Sequence, residues 1–301
     1  MKKIPYYHVD VFTDVPLSGN GLTVFTEADG LSNAIMLKLT QEMRQFESIF
    51  LQKVSENSVR ANIFTCEEEL DFAGHPILGA AATLHDLQSK GLEQSEWLFI
   101  LNKKTVAVTV VKRDYFYHVS MNQGPAEFGE TLNEEETAWL LDSISLTEGD
   151  LYPGLKPVVV STGLPYLIIP LQKNGFGAKI RINDLSEKIS AFGAKFIGIL
   201  EIPSRRIRSG DNLGQVEDIA TGSLAGPAGA YLVKYGFQKA NTLIQINQGE
   251  NLGRPSQLFV EVKEKDGKPG DIQVSGHVVK VSQSLLDSAI FSYLAETSTE
   301  Q

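Results

Sequence analysis

The order of strands, turns and helices predicts an α+β protein made of a duplicated unit. Two glycine-rich turns point to it, each opening onto a helix of very small residues. The first reads Phe72-Ala73-Gly74-His75-Pro76-Ile77-Leu78-Gly79 and runs into Ala80-Ala81-Ala82; the second reads Glu217-Asp218-Ile219-Ala220-Thr221-Gly222-Ser223 and runs into Leu224-Ala225-Gly226. The spacing that leads to each turn is also similar. Gly19 to Gly74 spans 55 positions and Gly163 to Gly222 spans 59.

Each element follows from local pattern. Residues 9–11 and 22–25 are β-branched and aromatic and read as strands around the turn Pro16-Leu17-Ser18-Gly19-Asn20-Gly21. Ser32 is a good N-cap for a helix reaching Phe46, with Ile35, Met36, Leu39, Met43 and Phe46 at helical spacing. Short strands at 48–51 and 59–64 lead to the first glycine turn, and alternating runs at 96–101 and 105–111 continue as a meander through 115–121. The order then recurs: a strand and turn at 158–165, a helix near 185–192, strands at 196–200 and 205–208, and the second glycine turn with its helix. Strands at 243–246, 258–262 and 278–281 follow, then a helix over about 282–295. The acidic, polar stretch 127–136 is the linker candidate. These boundaries give a first domain, 1–124, completed by a helix within 283–301, and a second domain, 125–282.

The 301 residues, 42% hydrophobic and 21% charged, suit a globular protein with room for two domains. A formal net charge of −10 without any basic run argues against a nucleic-acid partner. Cys66 is the single cysteine, so intrachain disulfides and multi-cysteine zinc sites are excluded. With no signal-like segment and no membrane-length apolar run, the expected location is cytoplasmic, with no membrane partner. The phosphate-loop pattern, the dinucleotide fingerprint and the His-Glu-x-x-His metal pattern are all missing.

A helix start offers unpaired N–H groups and a partial positive charge, so two such starts suit a small anionic ligand held between two similar halves. The plainer reading of either turn alone is a well-capped buried helix. Glu47 sits between Phe46 and the uncharged run Ser48-Ile49-Phe50-Leu51, where desolvation would suit a carboxyl group for proton transfer. Composition alone favours an exposed turn glutamate there. His75 lies at a helix start, which disfavours the imidazolium, whereas His8, His85, His118 and His277 have structural or surface settings. Asp218 either caps its turn or anchors a substrate amine or hydroxyl. Thr221 and Ser223 lack a nucleophile elbow and an acid–base set, so a hydrolase is the remote reading.

Five strings in order resemble the PhzF family, the phenazine-biosynthesis isomerase-like proteins. They are Val9-Asp10-Val11-Phe12-Thr13 with Gly19-Asn20, then Glu42-Met43 through Glu47, then the segment from Glu69 to Gly79. Glu217-Asp218 with Ala220-Thr221-Gly222-Ser223 comes fourth, and Gln248-Gly249 with Gly253-Arg254-Pro255-Ser256 fifth. The resemblance implies a diaminopimelate-epimerase-like fold, two pseudo-symmetric halves each wrapping a sheet around a central helix. It implies a cofactor-free isomerase that acts on a small anionic substrate between the halves, usually as a homodimer. Carried over, Glu47 is the catalytic acid–base group. Gly74, His75, Asp218, Thr221, Gly222 and Ser223 bind the substrate, with backbone N–H groups of Gly74 and of the Gly222-Ser223 turn toward a carboxylate. Related epimerases use two cysteines near these glycines; here Ala73 and Thr221 precede them, which favours a single-carboxylate proton shift. Phe46, Ile219, Pro227, Cys66, Asp71 and Arg208 depart from the family pattern. These departures also keep open a non-catalytic ligand-binding or scaffold protein that retains the fold.

Overall fold

The computed structural model describes residues 3–89, 91–265 and 268–287, and the chain divides into two units, Met1–Met121 with Gly276–Gln301 and Asn122–Ser275. The first contains β1 (Ile4–Val11), β2 (Asn20–Phe25), α1 (Asn33–Met43), β3 (Glu47–Lys53), β4 (Ser58–Phe64), β5 (Glu69–Leu70), α2 (Gly74–Gln88), β6 (Gln94–Ile100) and β7 (Thr105–Lys112). Strand β8 (Tyr117–Pro125) begins in it. The second contains β9 (Glu127–Thr131), α3 (Glu134–Ser143), β10 (Val158–Ser161), β11 (Pro165–Leu171), α4 (Ser186–Ala191), β12 (Phe196–Glu201), β13 (Arg206–Arg208), α5 (Gly222–Lys234), β14 (Leu243–Gln248) and β15 (Ser256–Lys265). The long β16 (Lys268–Leu286) starts in the second unit and ends in the first.

Each unit repeats one sequence of strand senses. In the first, β16–β1 and β1–β2 are antiparallel, β2–β3 parallel, β3–β4 antiparallel, β4–β6 parallel, and β6–β7 and β7–β8 antiparallel. In the second, β9–β10 and β10–β11 are antiparallel, β11–β12 parallel, β12–β13 antiparallel, β13–β14 parallel, and β14–β15 and β15–β16 antiparallel. The glycine-turn helices α2 and α5 occupy matching places, between β4 and β6 and between β13 and β14. A parallel pairing needs a crossover, and these helices supply one in each unit.

The small residues of both helices have a packing reason. A Cβ at Gly79 would lie 2.5 Å from Leu22 Cδ2 and 3.0 Å from Val9 Cγ2 and Val11 Cγ2. One at Gly229 would lie 2.5 Å from Val260 Cγ1. The backbones of α2 and α5 therefore sit close on β1–β2 and on β15, wholly buried along most of their length. On the opposite face of the first sheet, Met36 and Leu39 of α1 pack with Phe25, Phe50 and Phe64. The rings of Phe25 and Phe50 stack there at 4.5 Å. In the second unit Leu140 and Leu141 of α3 pack with Leu167, Ile169, Ile197 and Ile199.

Three sequence expectations need correction. Residues 127–136 are not a linker: 127–131 pair with β10, and a reciprocal capping box starts α3, with Glu136 N–H donating to Asn133 Oδ1 and Asn133 N–H to Glu136 Oε2, both 2.9 Å. Acidic residues suit both places, an exposed sheet edge and a helix N-terminus. Helix α1 stops at Met43, because Arg44 takes a left-handed conformation with φ 58°. Residues 282–286 continue β16 against β1 instead of starting a helix; the remainder of that expected helix lies outside the described residues. Among the described residues no helix is long and apolar enough to cross a membrane.

Candidate active site

Helix α1 and β3 are joined by the short turn Arg44–Phe46, so Glu47 enters the sheet as the first residue of β3 and the parallel neighbour of Leu22. It is 5% exposed. The exposed-turn reading is thereby overturned, since sheet pairing on both sides of β3 draws its first residue inside.

His75 is the second residue of α2 and is 3% exposed. Its Nδ1 lies 3.4 Å from Glu47 Oε2 and 3.3 Å from Asn20 Nδ2, at the start of β2. Burial pushes the imidazole down to about 3, so the ring is neutral and its contact with Glu47 is not an ion pair. The other ring nitrogen, Nε2, is buried and has no hydrogen-bond partner among the described residues. Gly74 opens the helix, and the N-cap Ala73 has no side chain able to cap it. The first N–H groups of α2 are therefore left for another acceptor.

The remaining histidines have partners of their own. Nδ1 of His8 lies 3.3 Å from Thr23 Oγ1, and Nδ1 of His85 lies 2.7 Å from Ser95 Oγ. His118 and His277 meet edge to face at 5.5 Å.

In the second unit the predicted residues gather around the start of α5. The Thr221 hydroxyl donates to Asp218 Oδ2 at 2.7 Å instead of capping the helix, so α5 also starts without a side-chain cap. Gly222 and Ser223 are its first two residues, and Ser223 Oγ is 2.7 Å from Tyr166 Oη. Gln248, fully buried at the end of β14, fixes this turn with three bonds. Its Oε1 accepts from Thr221 N–H at 2.8 Å, and its Nε2 donates to Asp218 O at 2.8 Å and to Thr221 Oγ1 at 3.0 Å. Because the amide already donates to Thr221 Oγ1, the hydroxyl proton is directed to Asp218. Gln123 Nε2 donates to Gly222 O at 2.9 Å and holds the first helical carbonyl.

Next to Asp218, Glu217 is gripped in a bidentate pair: Arg208 Nε donates to Oε1 and a terminal nitrogen to Oε2, each at 2.7 Å. Burial alone would raise the Glu217 carboxyl, but bonds from Arg208 and Asn251 outweigh it and hold the group below its ordinary value. Arg208, a departure from the family pattern, thus has a local partner in this chain.

Glu47 and His75 meet in the first unit, and Asp218, Thr221, Gly222 and Ser223 gather in the second. Sequence reasoning did not assign roles to Asn20, Gln248, Tyr166, Gln123 or Arg208. Asn20 and Gln248 stood in the quoted motifs, which was the available signal; Tyr166 and Gln123 gave none. Among the described residues no group of three or more His, Cys, Asp or Glu is arranged to hold a metal ion.

Comparison with known proteins identifies the family. A family model described as phenazine biosynthesis-like protein, PhzC-PhzF, matches residues 9–284. An uncharacterized isomerase, YddE, of Escherichia coli strain K12 is 33% identical over 291 residues, covering 91% of this chain and 95% of the relative. The trans-2,3-dihydro-3-hydroxyanthranilate isomerase of Pseudomonas chlororaphis is 29% identical over 284 residues, covering 91% and 96%. A solved structure of a predicted epimerase from Pseudomonas aeruginosa superposes with a TM-score of 0.88 at 45% identity, covering 94% of this chain and 99% of that one.

Proposed function

This chain belongs to the phenazine biosynthesis-like family and is one of its isomerases, and on that premise we propose that Glu47 shifts a proton within a small carboxylate-bearing substrate. As a carboxylate, Glu47 takes a proton from one carbon of an allylic or α-carboxylate system; as the resulting acid, whose proton exchanges with water, it delivers a proton to another carbon. The electron pair left at the first carbon moves along the conjugated system and meets the proton at the second. Nothing is gained or lost overall, so the step is an isomerisation that calls for no cofactor.

The observation that carries this reading is the buried contact between Glu47 Oε2 and a neutral His75, 3.4 Å away. A low-dielectric setting with a polar but uncharged neighbour suits a carboxyl group that must gain and lose a proton. In the same reading Gly74 and His75, together with Asp218, Thr221, Gly222 and Ser223, bind the substrate, and the uncapped starts of α2 and α5 supply N–H groups for its anionic oxygens. The enzyme is taken to be a cytoplasmic homodimer.

The test begins with a thermal-shift screen of small carboxylates, followed by NMR of the hits in heavy water. Wild-type protein is expected to incorporate deuterium into the isomerised product. Glu47→Gln should fold and bind yet exchange at least about 10²–10⁴-fold more slowly. Undiminished exchange in that variant would falsify the assignment.

A further inference from the structure

Asn20 and His75 are 55 positions apart in sequence and in contact in the buried interior of the first unit. A neutral imidazole holds one proton, on either Nδ1 or Nε2, and the hydrogen bond made by one nitrogen decides the state of the other. At Nδ1 two groups compete. The Asn20 amide nitrogen, at 3.3 Å, can only donate, which requires a lone pair on Nδ1. Glu47 Oε2, at 3.4 Å, would favour a proton on Nδ1 if it stood at charge-assisted distance, about 2.7–2.9 Å, but it stands farther away.

We propose that Asn20 is a positioning residue that fixes His75 as its Nε2–H tautomer, making the ring a neutral hydrogen-bond donor to an oxygen of the substrate. This deepens the reading that Glu47 and His75 form the proton-transfer site, and rests on it for its catalytic meaning. The buried Nε2, without a hydrogen-bond partner among the described residues, is then an N–H held for a ligand. Such a donor is costly to bury unless something accepts from it. Desolvation keeps the second proton off the ring, so the site does not turn into a cation. Nδ1, its lone pair taken by the Asn20 amide, presents no N–H to Glu47, so the acid form of Glu47 does not meet a second donor there.

The second unit is built in the same way. Its counterpart of His75, the second residue of the glycine-turn helix, is Ser223, whose hydroxyl is bonded at 2.7 Å to Tyr166 near the start of β11. In each unit a side chain near the start of the matched strand, β2 or β11, is bonded to the side chain at the second helical position. The substrate class narrows accordingly. A carbonyl, carboxylate or hydroxyl oxygen must sit where Nε2–H points, and an ammonium group is rejected there.

The tautomer can be read without substrate. In protein labelled with ¹⁵N-histidine, long-range proton–nitrogen NMR separates a protonated from an unprotonated ring nitrogen, and a His75→Gln spectrum assigns the signal among the five histidines. The wild type is expected to carry its proton on Nε2. Asn20→Asp, which replaces the donor by an acceptor, should move it to Nδ1. Asn20→Leu, similar in size and free of charge, should lose the preference for Nε2 and serves if the aspartate variant does not fold. A proton on Nδ1 in the wild type overturns the proposal, as does an unchanged tautomer in the leucine variant. Because these spectra require no turnover, they fail or succeed independently of the Glu47→Gln exchange experiment.

Discussion

At the second position of its glycine-turn helix the first unit places His75 and the second places Ser223, and each is bonded to a side chain from the matched strand, β2 or β11. At the first position of the strand that follows, β3 or β12, the two units part. The first has Glu47 and the second Phe196, the parallel neighbours of Leu22 and Tyr166. The strand senses agree throughout, yet only one unit puts a carboxyl group beside its helix start at that place. The second unit gathers its carboxylate elsewhere, at Asp218, under the control of Thr221 and Gln248. The repeat thus supplies two uncapped helix starts, and in the proposed reading the residues at a few matched positions separate proton transfer from binding.

That division can be broken in order of expected effect. Glu47→Gln should cost deuterium exchange at least about 10²–10⁴-fold, whereas Phe196→Leu, at the matched position, should change it by less than about tenfold, because it removes no ionisable group. Gln248→Leu leaves the Thr221 N–H and the Asp218 carbonyl without their buried partner. It is expected to lower stability by about 3–5 kcal/mol, read as a reduced urea midpoint.

His75 adds a pH dependence that Ser223 cannot. The folded-state value, about 3, lies below the ordinary 6.5, so the unfolded chain binds a proton first as pH falls. This contribution to stability is intact above about pH 6.5 and declines between there and about pH 3, by about 1.4 kcal/mol per pH unit. Between about pH 7 and about pH 5 the loss is about 2 kcal/mol, and His75→Gln should flatten that part of the stability profile measured by chemical denaturation. The smallest effect is on the packing of the paired helices. Gly79→Ala and Gly229→Ala should each destabilise by about 1–2 kcal/mol, as methyl groups are forced against Leu22 and Val260. Unequal costs in the two variants would mean that one helix sits less tightly than its counterpart.

Much of this was legible in the chain itself. The glycine turns, the small-residue helices, the N-cap Ser32 and the order of strands are short-range patterns, set by backbone freedom, side-chain volume and periodicity. The acidic stretch 127–136 was misread because polarity marks loops, edge strands and helix starts alike, and only pairing with β10 separates them.

The amino-acid order by itself determined the α+β class, the repeat and the positions of the two glycine-turn helix starts, because each follows from residues within a turn or two of one another. The tertiary structure alone decided that Glu47 is buried, that His75 is buried against it and that Gln248 holds the Asp218 turn. Desolvation and hydrogen-bond partnership are supplied by distant segments: Asn20 reaches His75 across 55 positions and Gln248 reaches Asp218 across 30. No local pattern records the surroundings that set a proton's place.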